Sequence, residues 1–273
     1  MAKSPDQLIR FLLPEAKARG AFIRGTNLIN EGIRVHGLAG EPGKLFGQTL
    51  LASILLLSIS KGGVRQVLQI DAKDPIVPMR RILAEARPGA VRGYVTWHED
   101  EPSVRPPGGH GVSTWLGKPI RLSTVRDLGF GQPYISTIEH DSDFIADHIL
   151  HYLNQSVQIQ ADITIDDNTG LMLEAMPGCD DDAWFSAIRA MAKISREELL
   201  KSPPEKVLAH FDSLGCKILG HDDYAYTCGC NAKAMAESLK QIPREQLEDL
   251  VNDNGKILIA CQYCESSYEL DLD

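Results

Sequence analysis

Long apolar runs are scarce in this sequence, and this scarcity argues against a membrane-spanning segment. The most apolar stretch, residues 45–59, is 15 residues long and is interrupted by Gly, Gln, Thr and Ser. A helix that spans a bilayer needs about 20 apolar residues, so we expect a buried core helix here and no membrane contact. The N-terminal residues show no signal-peptide pattern. We therefore expect a cytoplasmic protein, in a compartment where thiols stay reduced.

Basic residues are few in the second half of the chain, although the first half has an excess of them. Residues 1–110 carry 15 Lys and Arg against 10 Asp and Glu, whereas residues 111–273 carry 13 against 27. Modules that bind nucleic acid need Lys and Arg for phosphate contacts. The acidic balance therefore disfavours a zinc-ribbon protein that binds nucleic acid, an alternative that tight, salt-sensitive binding of RNA or DNA would support.

Enzyme motifs are also missing from the sequence. It contains no Gly-rich phosphate loop and no recognisable grouping of a nucleophile with a base. We therefore predict that the protein is not an enzyme. His148 and His151 are candidate metal ligands, but on a half-buried helix such residues are more often packing or surface side chains. Two isolated cysteines, Cys179 and Cys216, are interpreted as small, semi-buried residues.

Four further cysteines stand near the C-terminus in two close pairs. Cys228 and Cys230 form a Cys-x-Cys motif, Cys261 and Cys264 form a Cys-x-x-Cys motif, and 30 residues separate the pairs. Four thiolates suit one tetrahedral Zn²⁺ at about 2.3 Å per bond, so the sequence predicts one zinc ion per chain in a closed site. Two alternatives stay open. The thiols could be unrelated, or the Cys-x-x-Cys pair could belong to an oxidoreductase, although it lies in a predicted hairpin and not at a helix N-terminus.

The hydrophobic patterns predict an α+β fold in three parts. A core domain of residues 1–178 has a mainly antiparallel sheet with packed helices, a helical linker covers residues 179–226, and a small zinc-binding α+β module covers residues 227–273. In the core domain we expect a loop at residues 98–118 and helices at residues 5–19, 45–59 and 144–152. Strands are predicted at residues 21–24, 27–29, 64–70, 91–97, 120–125, 134–138, 159–165 and 170–176.

The linker combines three short helices, each with its own start signal. The acidic stretch from Asp180 starts the first, Ser195 and Glu198 form a capping-box sequence for the second, and Ser202 precedes two prolines at the start of the third. Helices of this length are marginal alone and depend on packing against other elements. We expect their apolar side chains to face the core domain: Trp184, Ile188, Met191, Leu208 and Phe211.

The last part of the chain holds few large apolar side chains, so a metal ion is expected to stabilise it. Zinc contributes roughly 10–16 kcal/mol in small modules of this kind, which is most of their folding free energy. Oxidation of the thiolates would remove the ligands and that free energy together. The spacing predicts that nearest neighbours join, Cys228 with Cys230 and Cys261 with Cys264. An inert structural zinc site is the alternative to such a switch.

This arrangement of cysteines resembles the 33 kDa chaperonin family, the redox-regulated heat-shock holdases of bacteria. The similarity is strongest in residues 197–200, 205–208, 226–230 and 261–264. Weaker similarity extends over nearly the whole chain, at His36, 92–94, 116–118, 132–134 and 176–177. The chain departs from the family pattern at Asp74, Pro119, Val157 and Thr169, while all four paired thiols are present.

The resemblance implies an ATP-independent chaperone that is inactive in its reduced, zinc-bound form. In that family, oxidation forms two disulfides, expels zinc, and unfolds the C-terminal module and the linker. The apolar surface that becomes exposed binds unfolding client proteins. The resemblance also implies a homodimer in the oxidised state and handover of clients to ATP-dependent foldase chaperones. It identifies neither the clients nor the oxidant threshold.

Overall fold

A ten-stranded sheet is the frame of the larger of two compact units, Met1–Tyr226 and Thr227–Asp273. The computed structural model describes residues 5–60, 62–74, 76–98, 109–248, 250–252 and 254–271. The strands of the first unit are β1 (Asp6–Leu13), β2 (Ala18–Arg24), β3 (Arg65–Ala72), β4 (Met79–Arg87), β5 (Ala90–Trp97), β6 (Ile120–Asp127), β7 (Tyr134–His140), β8 (Ala161–Asp166), β9 (Thr169–Ala175) and β10 (Lys217–Tyr226). Its helices are α1 (Thr26–Val35), α2 (Gly40–Ile59), α3 (Val112–Leu116), α4 (Ile145–Tyr152), α5 (Asp181–Ala192), α6 (Arg196–Lys201) and α7 (Pro204–Leu208).

The order of the strands gives β10 a central place. The sheet runs β7-β6-β3-β4-β5-β10-β1-β2-β9-β8, and neighbouring strands are antiparallel except β5 and β10. Those two are parallel and share two residue pairs, Ala225 with Ala90 and Tyr226 with Val91. A strand from the sequence-predicted linker therefore joins the two halves of the sheet, and this α+β architecture agrees with the predicted fold class.

The predicted apolar helix is α2, and it packs against one face of the sheet. Its fully buried Leu50 and Leu55 belong to the same core cluster as Ile70 and Ile82 of the strands. The helix begins at Gly40, so its 20 residues suffice by length and composition to cross a membrane. The prediction that it is too short was therefore wrong. The predicted burial is confirmed, since 83% of its most apolar window lies inside the protein.

The N-terminal segment is not the helix that its spacing predicted. Residues 5–19 instead contain β1, a short 3-10 turn at Pro14–Ala16, and the start of β2. In β1, Leu8 packs into the core under α2, while Phe11 packs into a second core on the other face of the sheet. A strand buried on both faces lacks alternation of apolar and polar residues, which explains the error. Residues 27–29, predicted as a strand, lie in α1.

Most other predicted elements of the core domain are confirmed within a few residues. The strands predicted from residue 64 onward correspond to β3, β5, β6, β7, β8 and β9, whereas β4 was not predicted. Residues 99–108 of the predicted loop lie outside the described residues, and α3 forms near its end. The helix predicted at residues 144–152 is α4, which buries Ile145, His148, Ile149 and Tyr152, whereas Phe144 precedes the helix and is 68% exposed.

The linker helices lie against the second face of the sheet, as predicted. Phe211 is fully buried and stacks on Phe11 of β1, with ring centroids 5.5 Å apart. Met191 and Leu208 are also buried in this second core, and Trp184 and Ile188 pack at its margin. The helix starts are confirmed too, because Asp180 caps α5, Ser195 and Glu198 form a capping box at α6, and Pro204 begins α7.

The described residues of the second, smaller unit form a hairpin and two helices. Its elements are α8 (Ala232–Leu239), α9 (Arg244–Glu248), β11 (Lys256–Ala260) and β12 (Ser267–Asp271), with β11 and β12 paired antiparallel. The cluster of buried apolar side chains found among its described residues comprises Leu239, Leu247, Ile257 and Leu270. The small apolar content predicted for this part of the chain is confirmed.

Candidate metal centre

The β11–β12 hairpin presents two of the four paired cysteines at its turn. Ala260 pairs with Ser267, so residues 261–266 form the connection. Within this turn the backbone N–H groups of Cys264 and Glu265 donate to the carbonyl oxygen of Cys261, at 3.3 and 2.7 Å. Glu265 has a φ of 60°, in the left-handed region that reverses the chain. The turn thereby holds Cys261 and Cys264 on the same side.

The other pair lies between β10 and α8. Cys228 and Cys230 precede Asn231, whose side chain caps α8 by accepting a 3.0 Å hydrogen bond from the backbone N–H of Ala234. This cap fixes where the helix begins, and it therefore fixes the segment that carries the two thiols. The helix itself packs against the hairpin through Leu239 in the small core.

The fold brings all four sulfurs together, as the sequence predicted for these residues. Their Sγ atoms lie within 4.8 Å of one another, with Cys228 and Cys261 3.8 Å apart and Cys230 and Cys264 3.2 Å apart. A tetrahedral site with metal–sulfur bonds of about 2.3 Å requires sulfur–sulfur distances of about 3.8 Å. The four cysteines are therefore placed to hold one metal ion. Cys261 is buried and the other three are partly buried, so an ion held here would be partly shielded from solvent.

Two hydroxyl groups contact the sulfur cluster, and the sequence did not single them out. Tyr268 Oη lies 3.2 Å from Cys230 Sγ, and the Ser266 hydroxyl lies 3.4 Å from Cys264 Sγ. Both residues belong to the hairpin, within four positions of the last cysteine. Their positions, two and four residues after Cys264 in a predicted hairpin, could have identified them, because alternate side chains on a strand share one face.

The thiols differ in acidity because their surroundings differ. Burial and the neighbouring thiols raise the pKa of Cys230 to about 12. Burial also opposes ionisation of Cys264, but hydrogen bonds from Ser266 and from the Cys230 and Cys261 thiols bring its pKa down to about 7. Burial raises the pKa of Cys261. A bound cation would favour all four thiolates, because metal ligands must be deprotonated.

The remaining candidates from the sequence lie away from this cluster. Cys179 follows β9 and Cys216 precedes β10, and burial raises the pKa of both thiols. Both are partly buried, as predicted. His148 is fully buried in α4 and His151 stacks on His140 with centroids 4.4 Å apart. Among the described residues, the four paired cysteines form the one group of three or more candidate ligands close enough to share an ion.

Comparison with known proteins agrees with this architecture. The 33 kDa chaperonin of Geobacter sulfurreducens is 28% identical over 281 aligned residues, which cover 96% of this chain and 91% of the relative. That of Bacillus subtilis is 25% identical and covers 96% and 94%. The crystal structure of the Thermotoga maritima 33 kDa chaperonin, a heat shock protein 33 homologue, is similar in fold, with a TM-score of 0.78 at 22% identity over 97% of this chain and 95% of that one.

A family model completes the comparison. The model described as Hsp33 protein matches residues 6–271, a span that includes the ten-stranded sheet, the linker helices and both cysteine pairs. The relatives are named as chaperonins, and their names indicate no catalytic activity. A match over nearly the entire sequence establishes the relationship, and this chain belongs to the Hsp33 protein family.

Proposed function

We propose that this protein is a cytoplasmic, redox-regulated chaperone that holds unfolding proteins without ATP. Membership of the Hsp33 family supports the chaperone function. The observation that carries the redox part is the cluster of four sulfurs within 4.8 Å in a unit whose described apolar core has four buried side chains. Such a unit depends on what the sulfurs bind.

The metal in this proposal is one Zn²⁺ per chain, held by Cys228, Cys230, Cys261 and Cys264. Soft thiolates and a tetrahedral arrangement suit zinc. The bound ion would supply folding free energy and no catalysis, since all four positions are occupied by protein ligands. The chain's own contribution is the hairpin turn and the α8 cap, which hold the sulfurs at the required spacing.

Oxidation would convert this site into two disulfides, Cys228–Cys230 and Cys261–Cys264. Short sequence separation favours these partners, because each pair remains close after the unit loses its fold. The 3.8 and 3.2 Å sulfur–sulfur distances of the reduced fold run between the pairs. Disulfides between the two pairs would keep both segments cross-linked in the folded arrangement. Disulfides within each pair leave the two segments without a cross-link between them, so the unit can unfold. The proposed switch therefore uses the bonds within each pair.

The linker would transmit this change to the chaperone surface. We propose three functional parts, with a core at residues 1–178, a metastable linker at 179–226 and a redox unit at 227–273. The linker helices bury Met191, Leu208 and Phe211 against the sheet. If the linker helices left the sheet, apolar side chains would become exposed on the linker and on the sheet. Exposed apolar surface binds unfolding or oxidatively damaged clients.

The oxidised protein would act as a homodimer and pass its clients to ATP-dependent foldase chaperones. We propose no nucleic-acid partner, since the residues from Cys228 onward include nine acidic and four basic residues. We also propose no membrane partner, since the apolar helix α2 is buried in the core.

The decisive experiment measures zinc content and suppression of client aggregation on one sample, before and after peroxide with mild heat. We expect one zinc per chain and little suppression in the reduced state, and zinc loss with strong suppression after oxidation. Retention of zinc together with unchanged suppression would favour an inert structural zinc site. Zinc loss without any gain in suppression would separate the thiol chemistry from the chaperone function.

A further inference from the structure

The four sulfurs do not receive the same hydrogen bonds. In the hairpin turn, the Ser266 hydroxyl lies 3.4 Å from the Cys264 sulfur. Among the described residues, the one hydrogen-bond partner of Cys230 Sγ outside the four thiols is the Tyr268 hydroxyl, at 3.2 Å. The two hydroxyl groups thus contact different sulfurs, and the contact of Tyr268 with Cys230 is the shorter of the two.

Tyr268 is well fixed for this contact. It pairs with Ile259 across the β11–β12 hairpin, and its ring packs against the small core of the second unit. Its position is therefore set by the strand register and by packing, and the hydroxyl lies 3.2 Å from the sulfur as a result. A phenol is protonated at neutral pH and a zinc-bound sulfur is a thiolate, so the hydroxyl is the donor and the sulfur is the acceptor.

We propose that Tyr268 is a positioning residue that slows oxidation of the Cys230 thiolate and strengthens its bond to the metal. The inference rests on the proposed function, because it concerns the rate at which that switch operates. A hydrogen bond draws electron density from the sulfur lone pairs that an oxidant must attack. The same bond orients the sulfur toward the metal, as partners of metal ligands generally do.

The step that Tyr268 slows is attack of a thiolate on a peroxide. The Cys230 thiolate takes one oxygen, the O–O bond breaks, and the products are a sulfenic acid and hydroxide. The Cys228 thiolate then attacks the sulfenic sulfur, the S–S bond forms, and a second hydroxide leaves. The two sulfurs lose two electrons in total, and these reduce the peroxide.

The test uses the full-length, zinc-loaded protein and two changes of opposite direction. Tyr268→Phe removes the donor and keeps the ring, and replacement of Tyr268 by 3-fluorotyrosine strengthens the donor with almost no change of shape. We expect zinc release under peroxide, followed with a chromogenic chelator, to be severalfold faster with Phe and slower with fluorotyrosine. Zinc affinity should fall roughly tenfold with Phe, at the lower end of losses seen when a ligand's partner is removed.

Two controls make the result specific. Tyr134→Phe removes a phenol hydroxyl from a side chain of the first unit that is 58% exposed, and it should leave zinc release unchanged. Ser266→Ala removes the hydroxyl at Cys264, which is the longer of the two contacts, so its effect should be smaller than that of Tyr268→Phe. Alkylation and mass spectrometry should show that Tyr268→Phe accelerates loss of the Cys230 thiol in particular.

Unchanged rates with both Phe and fluorotyrosine at position 268 would overturn the proposal, and so would slower release with Phe. The fluorotyrosine protein keeps the test valid if the Phe variant loads zinc poorly. Failure here is distinguishable from failure of the proposed function, because the latter is judged on wild-type zinc loss and aggregation suppression alone.

Discussion

The guanidinium of Arg24, at the end of β2, donates a 2.6 Å hydrogen bond from Nη2 to the backbone carbonyl oxygen of Leu199 in α6. Burial lowers the pKa of this guanidinium. Its central carbon, Cζ, lies over the Phe22 ring, 5.6 Å from the ring centroid. The bond satisfies a carbonyl in the last turn of a six-residue helix, where intrahelical partners are missing. It thereby attaches the middle of the linker to the sheet.

We predict that Arg24→Met loosens the linker. Loss of one hydrogen bond to a charged group should cost about 1–2 kcal/mol, and hydrogen exchange should accelerate in α6 and α7. Under the proposed function, the reduced variant should also suppress client aggregation partly. Arg34→Met is the matched control, because Arg34 is 69% exposed and pairs locally with Glu31. Equal exchange rates in α6 for both variants would contradict the prediction.

The hydroxyl of Tyr226 anchors the end of β10, and its removal should weaken that strand. It donates to the carbonyl oxygen of Gly93 at 2.8 Å and lies 2.9 Å from His36 Nε2. We expect Tyr226→Phe to lower the free energy of unfolding by about 1–2 kcal/mol in denaturant titrations and to speed exchange in β10. Tyr134→Phe, at an exposed site, should do neither. If the two variants unfold alike, the hydroxyl does not anchor the strand.

Replacing one thiol should abolish tight metal binding. We expect Cys261→Ser to lose most of its zinc affinity, because an alcohol stays protonated and is a poor ligand. Near-native signals of the core at residues 1–178 should persist, while the second unit should unfold, as judged by heteronuclear NMR. Cys216→Ser is the control, since Cys216 packs in the second core of the first unit. Wild-type zinc affinity in Cys261→Ser would refute the ligand assignment.

Peptide mapping of the oxidised protein should find Cys228 joined to Cys230 and Cys261 joined to Cys264. Cys179 and Cys216 should remain thiols, because burial raises their pKa and the thiolate is the reactive form. Bridges from Cys228 to Cys261 or from Cys230 to Cys264 would instead show that oxidation captures the folded arrangement, and the proposed unfolding step would then have to be abandoned.

Acidification should destabilise the first unit through His148. Burial lowers the pKa of this histidine from 6.5, and the proximity of His140 lowers it further. The unfolded chain therefore binds the proton more readily than the folded chain. The free energy of unfolding is thus highest above about pH 6.5, and it decreases as the pH falls below that value. We expect His148→Phe to flatten the dependence of the unfolding free energy between pH 7.5 and 5.5. An unchanged slope of the unfolding free energy against pH would exclude His148 as the source of the pH dependence. His110→Phe is the control, because the His110 side chain is 91% exposed.

The parts of the fold that sequence patterns predicted are those with a distinct local signal. The helix α2 has a run of apolar residues, and the linker helices carry capping residues that the structure confirms. The strand β1 was missed because it has Leu8 in one core and Phe11 in another. The place of β10 between β5 and β1 depends on pairings more than 100 residues apart in sequence, and local patterns carry no information about such pairings.

The candidate metal centre was predictable to the level of its four cysteines, since their spacing alone indicated a shared ion. Tyr268 and Ser266 were not predictable in the same way, because Tyr and Ser are common in strands and turns for many reasons. Their contacts with Cys230 and Cys264 follow from the register of the β11–β12 hairpin. That register becomes known only when both strands are placed.

The central position of β10 has a consequence for the sheet as a whole. A sheet of ten strands has two edges, here β7 and β8. Withdrawal of β10 would divide it into a five-stranded and a four-stranded sheet with four edges, and the two new ones would lie along β5 and β1. Unpaired N–H and C=O groups on an edge are a template for another extended chain. A loosened linker would therefore offer an unfolding polypeptide main-chain hydrogen bonds as well as apolar contacts.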